Sequence, residues 1–448
     1  MSQPELDDAS AAKARRSALL IVFLVVFIDL LGFGIVLPLL PLYADVYLAD
    51  ATANVKGIVI GVLFSSFSLM QFIFSPVWGR LSDRIGRRPI LIMGLLGSVL
   101  FYGLFAYANT FPKEEATLAL VLLLISRIGA GIAGASVSTA SAVIADCTTP
   151  EKRSKGMALI GAAFGIGFTF GPLIGYAGLE IFQQELWAPG LMASILSFIA
   201  MILAIVLLPE TLKIRNTSAS VRHSFSIGRS MEVLKMPTVG PLILMYFLAI
   251  FAFANFEATL ALYTKEVFSF TTKQSLLVFA GVGFVLVIAQ GGFYRRFAGK
   301  MSEQTLMKAG LAMMFMGLGG LGAVAYATFL MNSGKEGEPV TNFQSLFYFA
   351  TAVAVFGFAF VNPSIASLVS RQADATRQGE VLGVNQSFAA IGRILGPMIG
   401  VYVFWQHGSH TLPFVVAGAV LLLVVLLLPN VRNTTDAVPP EASARDLR

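Results

Sequence analysis

The chain has 448 residues, of which 56% are hydrophobic and only 12% are charged. A soluble globular protein carries roughly 25% charged residues, so this composition excludes a large water-facing surface and predicts that lipid surrounds most of the chain. The single cysteine, Cys147, excludes an intramolecular disulfide. The net charge of +6 comes from short basic clusters between apolar runs, which indicates a membrane surface rather than a nucleic-acid partner.

The apolar residues fall into twelve long runs, each close to the roughly 20 residues that cross a hydrocarbon core of about 30 Å. The first run contains Asp29, Pro38 and Pro41 and is longer than the apolar part of a signal peptide, so we expect a spanning helix there. In chain order the predicted spans, called helices 1 to 12, are 17–43, 57–78, 90–109, 117–142, 156–178, 188–208, 239–263, 275–294, 307–330, 344–369, 380–404 and 411–429.

Most of the 31 lysine and arginine residues lie in alternate connections, on the same side of the membrane as the N-terminus. The loops on the other side contain Lys56, Lys113, Lys265, Lys273 and Lys335. Because positively charged loops stay in the cytoplasm, this pattern predicts a multi-pass protein of the cell (cytoplasmic or inner) membrane, with both termini cytoplasmic.

The longest internal polar segment, 209–238, is basic and follows the sixth span. We interpret it as a cytoplasmic linker, with a short amphipathic helix near its end, between six-helix halves at 17–208 and 239–429. The tails 1–16 and 430–448 are small and polar and are predicted to be disordered.

The two halves resemble each other. The sequence GRLSD at 79–83 is echoed by GKMSE at 299–303, and the same spacing separates Tyr43 from Tyr263. Helix 5 and helix 11 share a second pattern, in which Gly171 and Pro172 recur as Gly396 and Pro397. Internal duplication is typical of secondary transporters, whose substrate site lies between the repeats near mid-membrane. The predicted fold is therefore an all-α polytopic membrane protein of two pseudo-symmetric halves.

The loop between helices 2 and 3 contains glycine, one acid and several arginines. Its marked residues are Gly79, Asp83, Arg84, Gly86, Arg87 and Arg88. A carboxylate at the membrane surface can cap a helix N-terminus of the other half, in a contact that can be broken. The alternative is that the arginines only fix topology, which would not require Asp83 or the glycines. We expect a conformational gate in this loop.

Helix 1 contains Asp29 followed by spaced glycines and prolines, and helix 4 contains Arg127 followed by spaced glycines. Helix 5 contains Gly161, Gly165, Gly167, Gly171, Pro172 and Gly175. Together with the 79–89 loop, these patterns resemble the major facilitator superfamily, and within it the drug:proton antiporters that include tetracycline-efflux and multidrug exporters. The resemblance implies the twelve-helix major facilitator fold, an antiporter motif in helix 5 and a role in proton coupling for Arg127.

Two other helices refine this resemblance. Tetracycline pumps carry an acid in helix 3 where this chain has Phe101, which argues against tetracycline itself as the substrate. Helix 7, with Phe256, Glu257 and Tyr263, is similar to multidrug pumps in which the glutamate belongs to the proton pathway. Those pumps often add an acid in helix 10, where this chain has Asn362.

The helix-5 glycines are four residues apart within each set, so they form flat strips on which another helix can approach closely. Pro172 removes a backbone donor and bends the helix. Ordinary close packing is one interpretation. Because the pattern recurs at Gly396 and Pro397, we favour a sliding or rocking seam.

Away from the ends of the predicted spans, where Lys308 and Glu380 stand, four strongly ionised side chains fall within the membrane: Asp29, Arg127, Glu257 and Arg393. Burying a charge in a membrane costs at least a few kcal/mol, so such residues usually face a cavity and pair with each other. Asp29 and Arg127 lie at similar depth and are predicted to be in contact, whereas Glu257 and Arg393 are less well matched. They are either static ion pairs or parts of a proton pathway, with Glu257 as the preferred proton carrier.

Three polar side chains, Gln71, Asn255 and Asn362, can add hydrogen bonds in this cavity or satisfy helix contacts. The histidines lie in loops or at span edges, so no metal site is predicted. The sequence contains no nucleophile–base pair, phosphate loop or zinc-ligand cluster, so we expect neither an enzyme nor an ATP-driven pump. No cofactor is expected, and the proton gradient is the predicted energy source.

The leading functional interpretation is a proton-coupled antiporter that exports small amphipathic or lipophilic organic compounds by alternating access. A second is a proton-coupled importer or facilitator of a small metabolite. A third, from another class, is a receptor or scaffold that kept the fold without transport. The expected partners are a small organic substrate, protons and the lipid bilayer, with no nucleic acid, and we expect a monomer.

Overall fold

The computed structural model describes residues 3–148, 153–212, 227–237, 239–298, 300–332, 343–372 and 378–427. Within these ranges the chain is almost entirely α-helical and contains no β-strand. Ten of the described helical segments are long and apolar enough to cross a membrane. Two further apolar helices, Arg153–Ile181 and Leu412–Leu427, coincide with predicted helices 5 and 12. The predicted all-α polytopic fold is confirmed.

The helices of the first half are α1 Gln3–Tyr47, α2 Ala53–Ile85, α3 Arg87–Ala108, α4 Ala116–Gly134 continued by Val137–Cys147, α5 Arg153–Ile181 and α6 Ala188–Leu207. Those of the second half are α7 Gly240–Phe268, α8 Thr272–Ile288 continued to Phe297, α9 Glu303–Asn332, α10 Gln344–Gln372, α11 Gln378–Phe404 and α12 Leu412–Leu427. A short linker helix, Ile227–Leu234, lies between the halves, while residues 213–226 and 238 of the predicted linker lie outside the described ranges.

Local sequence signals set several helix ends. Thr271 and Gln274 form a reciprocal cap at the start of α8, which satisfies backbone donors that the first turn leaves free. The turn between α2 and α3 consists of Gly86 alone, at φ 117°. This backbone conformation favours glycine, so the tight reversal depends on that residue.

Two spans are interrupted where an unbroken helix was predicted. In α4 the α-helical pattern breaks at Ala135 and Ser136, directly after Gly134, and the Ser136 N–H donates to the carbonyl of Ala133 at 3.0 Å. In α8 a π-helical turn covers Ala289–Tyr294 and contains two adjacent glycines. Glycine has the lowest helix propensity after proline, so these runs are where the regular hydrogen-bond pattern gives way.

Close approach of small residues holds each half together. A Cβ atom at Gly171 of α5 would lie 2.7 Å from the backbone of Gly34 in α1. In the second half, a Cβ atom at Gly396 of α11 would lie 2.6 Å from the backbone oxygen of Phe251 and 3.0 Å from the side chain of Ala254 in α7. Gly34 and Ala254 are repeat equivalents, as are Gly171 and Gly396, so the duplication extends from the sequence to the packing.

The two halves meet along α2 against α11 and along α5 against α8. We call the side with the 79–89 loop the terminal face, and the side with residues 48–52 and 405–411 the opposite face. On the terminal face a Cβ atom at Gly79 or Gly383 would have no neighbour within 4 Å. The space directly beside each of these two glycines is therefore open.

The N-terminal tail differs from its prediction. Residues 1–16 were expected to be disordered, but α1 begins at Gln3 and continues without a break into the membrane span. Residues 9–16 contain four alanines, one lysine and two arginines, which are strong helix formers. A polar helix can therefore extend from the end of the span without a core of its own. The predicted C-terminal tail, 430–448, lies outside the described residues.

Candidate transport site and gate residues

Asp29 of α1 lies within the first half rather than between the halves. It borders a small cleft with Leu91 and Leu95 of α3 and with Ser136 and Ala140 at the break of α4. The Ser98 hydroxyl of α3 also faces its carboxylate. One carboxylate oxygen, Oδ1, has no hydrogen-bond partner among the described residues. The site is thus a partly exposed acid among three helices of one half, with its Oδ1 atom buried.

The predicted Asp29–Arg127 contact is not formed. Arg127 is 1% exposed, and its guanidinium lies 4.6 Å from the ring centroid of Phe67. Its Nε and Nη1 atoms have no hydrogen-bond partner among the described residues. The Tyr102 ring, within interaction range of both Asp29 and Arg127, packs on Gly32, where a Cβ atom would lie 2.7 Å from it. Depth alone suggested a pair, but an aromatic ring packs at the level where the two charges would meet.

Glu257 and Arg393 approach each other in the second half. The two charges are within electrostatic range, but among the described residues they form no ion pair within 4.0 Å. Both side chains are partly exposed, although α7 is the span with the largest buried share. Because α7 has the largest buried share of the ten candidate spans, we interpret the exposure of Glu257 as space between helices rather than contact with lipid. Nε of Arg393 has no hydrogen-bond partner among the described residues.

Polar and aromatic groups surround this acid and base. The Tyr246 hydroxyl donates to Oδ1 of Asn362 at 2.7 Å. Phe253, one turn before Glu257, stacks on Phe358 with ring centroids 3.7 Å apart. A charged pair, a polar pair and stacked rings form the combination that holds an amphipathic molecule.

The other two predicted polar residues join helices. Asn255 is fully buried, and its Nδ2 donates to the carbonyl of Pro413 at 3.2 Å at the start of α12. Gln71 donates through Nε2 to the carbonyl of Gly134 at 3.2 Å, where α4 breaks. Of the three predicted amides, Asn362 is the one that contacts Tyr246, which lies within electrostatic range of Arg393.

The 79–89 loop is connected within its own half. Arg87 is buried, and its Nη1 lies 2.6 Å from Oδ1 of Asp83 and donates to the Ser82 hydroxyl at 2.7 Å. Its Nε lies 3.2 Å from Oδ2 of Asp146 at the end of α4. Asp83 is half exposed, and in this conformation it contacts Arg87 rather than a helix of the other half.

A carboxylate does cap a helix start here, but it is Glu210, which follows α6. Its two oxygens accept hydrogen bonds from the backbone N–H groups of Arg87 and Arg88, at 2.9 and 3.2 Å. An anion at a helix N-terminus is stabilised by the unsatisfied N–H groups and by the helix dipole. Glu210 was not among the predicted site residues, although it lies at the end of predicted helix 6, on the same side of the membrane as the basic 79–89 loop. Arg84 is exposed.

The helix-5 glycines point in two directions. Gly167 and Gly171 pack on α1, whereas Gly165 lies against Val287 of α8 in the other half, 3.4 Å from a Cβ placed there. Gly165 and Gly167 are two positions apart in the sequence, which is about 200° around a helix, so they face nearly opposite sides of α5. The Gly167–Gly171 strip is therefore close packing inside one half rather than the predicted sliding seam. Gly175, beyond Pro172, lies between Ile35 of α1 and Leu276 of α8, so at Gly165 and Gly175 a seam between the halves stays a prediction. The surroundings of Gly161 lie outside the described residues.

Known proteins share the whole of this architecture. The Major Facilitator Superfamily model matches residues 22–334 and 312–447. The chain is 29% identical to human Major facilitator superfamily domain-containing protein 10, over 92% of this chain and 92% of the relative. It is 27% identical to the class B tetracycline resistance protein of Escherichia coli, over 93% and 96%.

Solved structures agree with this relationship. The human organic anion transporter MFSD10 (TETRAN) has a TM-score of 0.63 at 26% identity, over 92% of this chain and 99% of that one. A D-xylose-proton symporter has a TM-score of 0.73 at 18% identity, which shows a shared fold, over 94% and 100%. The predicted family resemblance is confirmed, and the chain belongs to the Major Facilitator Superfamily of membrane transporters.

Proposed function

We propose that this transporter exports small amphipathic or lipophilic organic compounds in exchange for protons, by alternating access. Glu257 is the proton carrier in this proposal. The observation that carries it is the position of Glu257, a carboxylate deep in a span, partly exposed to internal space and without an ion-pair partner among the described residues. An unpaired charge there costs at least a few kcal/mol, and binding a proton removes that cost. A cationic group moving into the same space would have the same effect.

Alternating access is supported by the difference between the two faces. In the described residues the halves are joined near the opposite face, while Gly79 and Gly383 on the terminal face have no close neighbours. The basic loops of the terminal face favour a cytoplasmic position, with both termini inside a cytoplasmic membrane. In that orientation we infer that a substrate for export enters from the terminal face and reaches Glu257 from the cytoplasm.

The proposed substrate has an apolar body and at least one polar group. The stacked Phe253 and Phe358 suit the apolar body, and Tyr246 with Asn362 suits a hydrogen-bonding group. Tetracycline resistance proteins and an organic anion transporter are among the relatives. An organic anion is the second candidate, because Arg393 lies beside this space with Nε unpartnered among the described residues. A proton gradient supplies the energy in either case, without a cofactor, and a monomer suffices.

Flux measurements in proteoliposomes test the proposal. Amphipathic cations, neutral lipophiles and organic anions are first screened for thermal stabilisation of the purified protein. A stabilising compound is then followed with and without an imposed pH gradient. The wild type should concentrate it against its gradient, and Glu257→Gln should lose this ability because the amide cannot release a proton.

The matched control is Glu185→Gln, which makes the same chemical change at an exposed loop position. It should transport like the wild type. If Glu257→Gln still accumulates substrate in response to the pH gradient, Glu257 is not the carrier. If the pH gradient has no effect on the wild type, a facilitator or a non-transporting scaffold becomes the better account. Opposite signs of pH-driven flux distinguish export from import.

A further inference from the structure

A buried carboxylate joins the two halves at the opposite face. Asp45, near the end of α1, is 5% exposed. Its Oδ1 accepts from the Lys56 ammonium of α2 at 3.1 Å, and its Oδ2 accepts from the Lys265 ammonium of α7. Lys56 belongs to the same half as Asp45, whereas Lys265 belongs to the other half. One acid is therefore shared by two bases across the boundary between the halves.

Asp45 and Lys265 are repeat equivalents. Tyr43 and Tyr263 are separated by the spacing of the internal duplication, and Asp45 and Lys265 stand two residues further along each copy. Two residues related by a twofold axis can touch only where the axis passes, as in a symmetric dimer. The ion pair therefore marks the pseudo-twofold axis at the opposite face. Identical copies would bring like charges together there, and an acid facing a base makes the same contact attractive.

We propose that Asp45, Lys56 and Lys265 form the gate that closes the opposite face, with the Asp45–Lys265 pair as the contact that breaks when it opens. This inference rests on alternating access, and it does not depend on the coupling ion or the substrate. Asp45 is buried, where an unpaired carboxylate is costly, so its pair with Lys265 stabilises the closed conformation of this face.

The neighbours of the gate make its opening reversible. When the halves separate, Asp45 keeps Lys56, which lies on its own half. Lys265 keeps Glu266, whose Oε1 lies 3.8 Å from its ammonium. Each side of the broken pair thus retains an opposite charge, which limits the cost of opening. Lys56 also lies 4.8 Å from the ring centroid of Trp405 in the other half, a second attraction across the boundary.

Close helix contacts flank the gate. On α2, a Cβ atom at Gly57 would lie 2.7 Å from the backbone of Tyr402 in α11. Deeper on the same helix, the Ser65 hydroxyl donates to the carbonyl of Ile394 at 2.6 Å. Between α5 and α8, Lys273 pairs with Glu180. The Asp45 cluster lies between these two seams.

Distance measurements between spin labels test the gate in the full-length protein in lipid nanodiscs, without substrate or pH gradient. Cys147 is replaced by serine, and cysteines replace Ala49 and Leu277, exposed positions of the two halves near the opposite face. Asp45→Lys and Lys265→Asp each place like charges across the contact. Each should raise the ratio of long to short distances about tenfold or more, because each leaves a charge without its partner.

The double variant, Asp45→Lys with Lys265→Asp, restores opposite charges and should return the distribution toward that of the wild type. Glu114→Lys is the matched control, since it makes the same charge change at an exposed site of the same face, and it should have no effect. If a charge-reversal variant does not fold, Asp45→Asn and Lys265→Met replace it. Each should also raise the ratio of long to short distances.

Unchanged distances in the single variants, or a double variant as open as the singles, would overturn the gate. Because the distance measurement uses no substrate and no pH gradient, its result tests the gate independently of the role proposed for Glu257 in proton coupling.

Discussion

The terminal-face loop and the opposite-face gate both contain buried or half-buried ion pairs, but they connect different parts of the molecule. Around Arg87, the partners Asp83, Ser82 and Asp146 all belong to the first half. Around Asp45, the charges belong to both halves. The first cluster therefore stabilises one half, and the second stabilises one arrangement of the two halves. Among the residues that the structure describes, the polar contacts between the halves lie at mid-depth or toward the opposite face.

Loss of the Arg87 cluster should have the larger effect on stability. Arg87→Met removes charged hydrogen bonds from a buried site, and we expect a loss of about 2–3 kcal/mol in the free energy of unfolding. Arg84→Met, at an exposed site of the same loop, should change stability by about 0.5 kcal/mol or less. Chemical denaturation in detergent compares them. Equal losses would mean that the loop acts through its total charge alone.

Asp83→Asn should affect transport more than folding. Asp83 is half exposed, and Arg87 keeps Asp146 and Ser82 when the carboxylate is neutralised. We expect normal folding and a transport rate of about one tenth of the wild-type rate or below. A tenfold loss corresponds to a rise of about 1.4 kcal/mol in the activation free energy. The reason is that Asp83 remains available to cap a helix of the other half when the terminal face closes. The yield of purified protein and the initial transport rate are measured together. A transport rate equal to that of the wild type would show that Asp83 has no role in gating.

Features that depend on chain length and periodicity were predictable. A span needs about 20 apolar residues, so twelve helices could be placed from the sequence. The repeat was visible in Tyr43 and Tyr263, and the position of Glu257 inside a span followed from its apolar surroundings.

Features that depend on side-chain direction were not predictable. Asp29 and Arg127 matched in depth, yet Tyr102 packs where they would have met. Asn255 was equally consistent with a cavity and a helix contact, and only its burial against Pro413 decides between them. Lys265 was assigned to a loop because the apolar run ends before it, whereas α7 continues to Phe268. The partner of Asp45 was therefore counted only as a charge outside the membrane.

The central claim is that the two faces close in alternation, and paired distance measurements test it most directly. Spin labels at Arg80 and Gly383 report the terminal face, and labels at Ala49 and Leu277 report the opposite face. In the wild type the opposite-face distance should be short and the terminal-face distance long. In Asp45→Lys both should change together, with the opposite face lengthening and the terminal face shortening. An opposite face that opens while the terminal-face distance stays the same would contradict alternating closure.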